Sequence, residues 1–446
     1  MNNMSLHSYY FIGIGGMGMS ALARLCLING HLVFGYDVTP SQIINDLISE
    51  GAQVTYDLSP EKLPSEVRRN KNIEVVYTAA ISKNHPQLKY FFAQGNNVRK
   101  RAVFLAELCA KIKTLAISGT HGKTTTSAFL THIFSETSQE FTSIMGGFFK
   151  NQKSNLIVEG SNFMIVEADE YDRSFLQLHP AIACITSMDA DHLDVYETNS
   201  LFTEAFIKFS SQVSQALVVA YGLPVNGITY GIDVPADYRV ENIIKTKFGY
   251  NFNIITPLRT YENVYLNQLG LHNISNALCA IAMADQIGIH TQNSIKALTT
   301  FPGVQRRMNI MKYGDAIIVD DYAHHPTEIE NVLNTLKGFY PERKNCVIFQ
   351  PHLFSRTQDF MNEFALVLSE FDEVLLLDIY PARELPISGI SAQVLLDELN
   401  HSNKKLIIKS AIKESIDKSN AGLFAFLGAG DIGLEVEKLK NHFTAA

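Results

Sequence analysis

Apolar residues come in short blocks along this chain, and most of the blocks end on a glycine or an acid. Residues 9–14 form the first such block, and residues 32–36, 73–77, 113–118, 162–166 and 181–188 repeat the pattern. Blocks of about four to eight residues have the length of strands buried on both faces. Stretches with apolar residues at helical spacing lie between them, at 19–28, 103–111 and 126–133. From about 212 to 268 the pattern weakens, and short strand-like stretches at 216–220, 228–231 and 264–266 are expected to extend a central sheet. An Ala-rich helix follows at 277–286. From 302 onward the alternation returns, with strands at 316–319, 346–350, 374–379 and 423–427 and helices at 327–336 and 357–368. Strands alternating with helices predict an α/β chain of mostly parallel sheets, with ligands at the C-terminal ends of strands.

What stands at those strand ends is polar and specific. After the block 113–118 comes Gly119-Thr120-His121-Gly122-Lys123-Thr124-Thr125, between a strand and a helix. A glycine-rich turn there points backbone N–H groups at an anion on the helix N-terminus. Lys123 then reaches terminal phosphates, and the Thr124 hydroxyl ligates Mg²⁺. Only Thr120 and His121 separate the two glycines, against the usual four residues. The segment predicts a nucleoside triphosphate site. The strand 162–166 runs into Glu167-Ala168-Asp169-Glu170, and the strand 181–188 into Asp189-Ala190-Asp191-His192. Acids beside a phosphate loop suit Mg²⁺ and substrate placement.

The first block meets Gly13, Gly15 and Gly18, with Asp37 about 20 residues on, as in a dinucleotide-binding half. The same turn holds any diphosphate, including that of a UDP-sugar. Asn273 and Asn276 are three apart at a helix start, where they share one face; N-capping by Asn273 is the other reading. In the last third, Asp320-Asp321-Tyr322-Ala323-His324-His325-Pro326 and the loop His352-Leu353-Phe354-Ser355-Arg356 follow strands. His324 or His325 could equally cap the helix that Pro326 opens.

Length and composition narrow the class. The 446 residues accommodate about three domains, divided as 1–111, 112–302 and 303–446. Hydrophobic residues at 46% and charged residues at 18% describe an ordinary globular chain. A net charge of -8 gives no basic footprint for nucleic acid. The five cysteines are scattered and odd in number, so neither a disulfide framework nor a metal cluster is expected. Residues 1–10 lack a charged region followed by an apolar core, and no apolar run reaches about 18 residues. The expectation is a cytoplasmic protein with no membrane partner.

These residues together resemble the Mur ligases, the ATP-dependent amide-forming enzymes of peptidoglycan precursor synthesis. The likeness runs from the Gly13–Gly18 turn through Gly119–Thr125, Glu167-Ala168-Asp169-Glu170, Asp191-His192 and His272-Asn273 with Asn276. It continues through Arg306-Arg307, Asp321 to Glu328 and Gly428-Ala429-Gly430-Asp431. The short phosphate loop is the family's own form. The loop 349–357 points to the branch that adds L-alanine, although many of its members carry a basic residue where this chain has Leu353. A tripeptide-recycling branch, a dinucleotide-sensing ATPase module and a dehydrogenase stand as alternatives.

The resemblance implies a three-domain α/β fold: a Rossmann-like N-terminal domain, a central P-loop ATPase-like domain and a C-terminal Rossmann-like α/β domain. It implies that ATP and Mg²⁺ activate the lactyl carboxylate of UDP-N-acetylmuramate as an acyl phosphate, which L-alanine attacks. Lys123, Glu167 and His192 would be catalytic, with Thr124, Glu167 and His192 at Mg²⁺. ATP would meet Gly119 to Thr125, Asn273, Asn276, Arg307 and Asp321; Arg306 and Arg307 are adjacent, and spacing favours Arg307. Gly15, Gly18 and Asp37 would hold the uridine diphosphate. Tyr322, His324, His352 and Arg356 would surround the amino acid, with L-alanine preferred and glycine or serine left open. Lys208, the one lysine near the Asp-His motif, reads as a surface residue. Monomer and homodimer are both compatible with the sequence.

Overall fold

The structure is a computed structural model and describes residues 6–189, 196, 198–382 and 384–439. It is α/β throughout and divides into two compact units, Met1–Arg239 with Ala277–Thr300, and Val240–Asn276 with Phe301–Ala446.

The first unit holds two parallel arrays. Strands β1 (Ser8–Ile12), β2 (Leu32–Tyr36), β3 (Gln53–Thr55), β4 (Glu74–Tyr77) and β5 (Asn97–Lys100) form a parallel sheet in the order β3-β2-β1-β4-β5. The order reverses between β1 and β4, the crevice where such sheets take ligands. The glycine turn leaves β1 at that point. Gly13 turns with φ +86, and the Gly13 and Ile14 N–H groups both donate to Tyr36 O, at 2.8 and 3.1 Å. The helix Met17–Ile28 begins immediately afterwards.

The second array contains β6 (Lys113–Ser118), β7 (Phe141–Ile144), β8 (Leu156–Val158), β9 (Phe163–Glu167), β10 (Ile182–Ile185), β11 (Ala216–Ala220) and β12 (Ile228–Ile232). They run in the order β12-β11-β10-β6-β9-β7-β8, with β8 alone antiparallel to its neighbour. The block 113–118 is the central strand β6, buried from its second residue on. Because β9 and β10 flank it, their C-terminal loops lie on either side of the phosphate loop. Chain order hides this adjacency, since Glu167 and Ser187 come 44 and 64 residues after Lys123.

In the second unit, β14 (Tyr250–Ile255) and β15 (Thr260–Leu266) form an antiparallel hairpin after β13 (Tyr238–Lys245). Six further strands follow: β16 (Asn309–Tyr313), β17 (Ala316–Asp321), β18 (Asn345–Phe349), β19 (Glu373–Leu376), β20 (Lys404–Leu406) and β21 (Leu423–Leu427). They run in the order β16-β17-β21-β18-β19-β20, and only β16 is antiparallel. Every residue of β18 and β21 is buried, which fixes the centre of this sheet.

Several elements differ from the sequence pattern. Strand β14 buries Tyr250, Phe252 and Ile254 and leaves Asn251 and Asn253 less covered, a two-residue alternation that the weak region 212–268 did carry. The Ala-rich helix starts six residues earlier than expected and spans Leu271–Asp285, so Asn273 lies within its first turn instead of capping it. The expected helix 357–368 is two helices, Phe354–Asp359 and Met361–Leu368, broken at Phe360. The Phe360 ring packs against His325, with centroids 4.6 Å apart, and the break lets it reach there.

Candidate active site

The phosphate loop owes its shape to its two glycines. Gly119 has φ +128, and a Cβ there would meet the backbone nitrogens of Thr186 and Ser187 at 2.8 Å. Gly122, at φ +82, is the left-handed residue from which the helix Lys123–Glu136 starts. The segment after β10 latches the loop. Thr120 Oγ1 and Ser187 Oγ are 2.7 Å apart, and the His121 N–H donates to Ser187 Oγ at 2.8 Å.

Lys123 Nζ donates to Gly119 O at 2.6 Å and to both oxygens of Glu170 at 2.8 Å. Glu170 is only 1% exposed. Burial opposes the charge on Lys123, but Glu170, Asp169 and Glu167 together outweigh it and raise the ammonium's pKa above its ordinary value. Glu167 closes β9 and accepts from the Gly146 N–H, from Ser127 Oγ at 3.1 Å and from Thr124 Oγ1 at 3.2 Å. Burial pushes its carboxyl above the usual range, against the pull of Gly146, Lys123, Ser127 and Thr124. Gly146 must lack a side chain, because a Cβ there would meet Glu167 Oε2 at 2.5 Å.

These donors suit Mg²⁺. The hydroxyl of Thr124 and the carboxylate of Glu167 are hard oxygen ligands on adjacent elements, and only neutral donors are hydrogen-bonded to Glu167. Among the described residues no group of three His, Cys, Asp or Glu has metal-holding geometry. A Mg²⁺ ion bound by one or two protein ligands plus phosphates needs none.

In the first sheet, Asp37 Oδ2 accepts the Gly15 N–H at 2.7 Å, and Oδ1 accepts the Val38 N–H at 2.8 Å. The carboxylate therefore lies against the glycine turn. Gly18 leaves room for a guanidinium, since a Cβ there would meet Arg101 Nη1 at 2.5 Å. Arg101 also approaches Asp169 Oδ2 at 3.5 Å, and Lys100 pairs with Asp172 at 2.8 Å. Asp172 and the following Arg173 are left-handed, at φ 53 and 54, immediately after the acidic strand end. Backbone strain of this kind costs about 1–3 kcal/mol per residue and gathers at functional sites.

The second unit has its own cluster. Arg306 donates from Nε to Asp320 Oδ1 at 3.3 Å and from Nη1 to Gly430 O at 3.2 Å, and it also bonds Gly428 O. Arg307 lies over the Tyr322 ring, 5.1 Å from its centroid, and its guanidinium makes no hydrogen bond to another described residue. Asp321 accepts the N–H groups of Met308 at 2.7 Å and Ala323 at 2.8 Å, and burial holds its carboxyl above the usual range despite Arg307. The rings of Tyr322 and His324 are 5.4 Å apart, and those of His324 and His352 are 6.1 Å apart. His352 stacks on Tyr380 and meets Arg356 Nη1 through Nδ1 at 3.4 Å. Burial, then the Arg307 charge, lowers the pKa of His272 to about 4.

Residues 8–113 match the description "Mur ligase family, catalytic domain", 117–284 match "Mur ligase middle domain" and 306–427 match "Mur ligase, glutamate ligase domain". A UDP-N-acetylmuramate–L-alanine ligase of Christiangramia forsetii is 45% identical over 436 residues, covering 97% of this chain and 96% of that protein. The chain belongs to the Mur ligase family. A ligase of the same name from Flavobacterium psychrophilum is 44% identical, with 99% of each chain covered. Among solved structures, the UDP-N-acetylmuramate-alanine ligase of Thermotoga maritima has a TM-score of 0.83 at 26% identity, covering 97% of this chain and 98% of that one. A murein peptide ligase of Psychrobacter arcticus shares the fold, with a TM-score of 0.70 at 21% identity over 98% of each chain.

This Mur ligase brings together most of the residues singled out in its sequence, within each unit. Gly119 to Thr125 meet Glu167, Gly15 meets Asp37, and Tyr322, His324, His352 and Arg356 form one chain of contacts. His192 and Asp191 lie outside the described residues. Asn273 is buried, and its amide donates to Leu269 O at 2.7 Å; Asn276 is buried on the same helix. Of the two candidate helix caps, His325 is the one used: its Nδ1 accepts the Thr327 N–H and Glu328 completes a capping box. Lys208 is exposed, as a surface residue should be. Glu170, Arg101 and Asn155 were not anticipated. Glu170 stood in the quoted acidic motif and Arg101 in a basic run, Arg99-Lys100-Arg101, that went unused. Asn155 gave no local signal at all.

Proposed function

We infer that this chain is an ATP-dependent ligase that joins L-alanine to the lactyl carboxylate of UDP-N-acetylmuramate. The observation that carries the reading is identity of 44–45% along nearly the whole chain to proteins of that name. The geometry supports it. A carboxylate resists an amine at neutral pH because oxide is a poor leaving group. Transfer of the γ-phosphoryl group from ATP to the lactyl carboxylate gives an acyl phosphate, which the alanine amine attacks, releasing phosphate. Such transfer depends on positioning and charge neutralisation. Thr124 and Glu167 would hold Mg²⁺, which would supply positive charge to offset that of the phosphates. Lys123 exchanges Glu170 for a phosphate oxygen, and the loop N–H groups hold the rest of the triphosphate.

In this reading the turn at Gly15 and Gly18 takes the uridine diphosphate, beside Arg101. The Arg307 guanidinium has no competing hydrogen bond among the described residues whereas that of Arg306 has three, which supports Arg307 as the ATP contact. Arg356 receives the amino acid's carboxylate by paired hydrogen bonds, near Tyr322, His324 and His352. His192 enters only through the family resemblance. We keep the domain boundaries at 111 and 302, and place the reaction in the cytoplasm; among the described residues no helix is long and apolar enough to cross a membrane.

The test is phosphate release by the purified chain with Mg-ATP and UDP-N-acetylmuramate, adding L-alanine or the cell-wall tripeptide in parallel. Release dependent on L-alanine, with a product heavier by one alanyl residue, is the expected result. Release with tripeptide alone would move the chain to the recycling branch.

A further inference from the structure

Asn155 is fully buried, 12 residues before Glu167, and its side-chain amide engages both N–H donors and its oxygen. One N–H of Nδ2 donates to Met17 O at 2.7 Å and the other to Met145 O at 3.1 Å. Its Oδ1 accepts from Arg24 Nη1 at 3.3 Å, and Arg24 Nε in turn binds both oxygens of Glu50, at 2.9 and 3.0 Å. The two carbonyls are not ordinary ones. Met17 is the first residue of the helix that leaves the glycine turn of the first sheet, between Gly16 and Gly18. Met145 precedes Gly146, whose N–H holds Glu167. One amide therefore ties the turn assigned to the nucleotide sugar to the backbone that aims the metal carboxylate.

We propose that Asn155 is a positioning residue that fixes the acceptor turn against the phosphoryl-transfer site and couples their occupancy. The proposal rests on the functional reading above. Phosphoryl transfer needs the lactyl carboxylate in line with the γ-phosphate, and misplacement by about 1 Å costs on the order of 10²-fold in rate. A side chain bonded to both half-sites suppresses that misplacement. It also transmits it, because ordering of the glycine turn by a diphosphate stiffens Met145–Gly146 and hence Glu167. The backbone bond from the Met145 N–H to Asn155 O, at 2.9 Å, survives any substitution at 155, so the β7–β8 pair keeps its own tie.

The test uses the full chain and Asn155→Ala, with Asn155→Asp as a second variant that keeps the Arg24 contact but puts an acceptor against both carbonyls. Acceptor affinity is measured calorimetrically with UDP-N-acetylmuramate, with and without Mg²⁺ and a non-hydrolysable ATP analogue. In the wild type the analogue should change that affinity by about 5-fold or more, the range of ordinary coupling. In both variants the factor should fall to near one, kcat should drop about 10–100-fold, and Mg-ADP affinity should stay within about twofold of wild type. Coupling retained in the variants, or absent from an active wild type, overturns the proposal. So does a loss of Mg-ADP affinity equal to the loss in kcat, which marks a merely structural role. If Asn155→Ala fails to fold, Arg24→Met removes the Oδ1 anchor together with the Glu50 pair, and the same coupling measurement on it and on Asn155→Asp decides. Failure of the functional reading would show differently, as wild-type chain that releases no phosphate with L-alanine.

Discussion

At the phosphate loop Lys123 is fully engaged by protein, whereas in the second unit the Arg307 guanidinium has a ring face beneath it and no hydrogen bond to another described residue. Each arrangement suits a different task. Lys123 and Glu170 form a buried pair, so in the proposed mechanism nucleotide binding there exchanges one anion for another. Arg307 faces a field made by Asp321 and His272, with its donors available to an incoming anion. The same contrast recurs inside the second unit, because Arg306, one residue earlier, is tied to Asp320 and two carbonyls.

Breaking the engaged pair should have the largest effect. Lys123→Met removes the charge that balances the transferring phosphoryl group, and activity should fall about 10³-fold or more. It also leaves Glu170 buried without its cation, a loss of about 3–5 kcal/mol of stability. Adding Glu170→Gln should restore most of the stability and none of the activity. Denaturant unfolding beside a phosphate-release assay separates the two effects; a Lys123→Met protein as stable as wild type would show that the pair is not closed.

The adjacent arginines should divide along the same line. Arg306→Ala orphans the buried Asp320 and should cost about 3–5 kcal/mol. Arg307→Ala should cost under about 1 kcal/mol while lowering kcat/KM about 10²-fold. Reversal of the two outcomes would transfer the ATP contact to Arg306.

What the sequence showed of this division was local. The phosphate loop, Glu167 and the histidine run were legible because each lies within a few residues of a strand end, where buried blocks stop and chemistry begins. Adjacent arginines look alike in a sequence, and only the fold, by burying Asp320 and aiming the Gly428 and Gly430 carbonyls, distinguishes them. Lys123–Glu170, Arg101–Asp169 and Asn155–Met17 join residues 47, 68 and 138 positions apart, and no periodicity reports such pairs. The first turns of the helix Leu271–Asp285 are not marked in the sequence, because His272, Asn273, Ser275 and Asn276 are weak helix formers. The fold overrides that preference by packing Ile274 and Leu278 into buried positions.

His272 allows a smaller test, in the pH dependence. Its pKa is lowered from 6.5 to about 4, so below pH 6.5 the unfolded chain binds the proton that the folded chain refuses. Its contribution to stability is complete above pH 6.5 and is lost as pH falls toward 4, on the order of 2 kcal/mol for this half-buried ring. His272→Gln should flatten that part of the stability profile. Arg307→Ala should raise the imidazole pKa seen by NMR without restoring 6.5, because burial is the larger cause. A pKa unmoved by Arg307→Ala would mean the guanidinium does not face His272.

The smallest effect is expected at Leu353. It has φ 71 and ψ 138, a region that side chains other than glycine avoid, at a cost of about 1–3 kcal/mol. Its N–H is held by Tyr380 O at 2.9 Å, its carbonyl accepts from Thr357 Oγ1 at 2.7 Å, and the bond of the Tyr380 N–H to Pro351 O lies beside it. These contacts fix the backbone whatever the side chain, and they keep His352 and Arg356 in register. Leu353→Gly should therefore gain about 1 kcal/mol of stability, with KM for L-alanine nearly unchanged. Leu353→Arg should keep the strain and add a cation beside Arg356, lowering KM for L-alanine a few-fold while leaving KM for ATP alone. If Leu353→Gly instead raises KM for L-alanine severalfold, the leucine side chain is itself a wall of the amino-acid pocket, and the strain is retained for that contact.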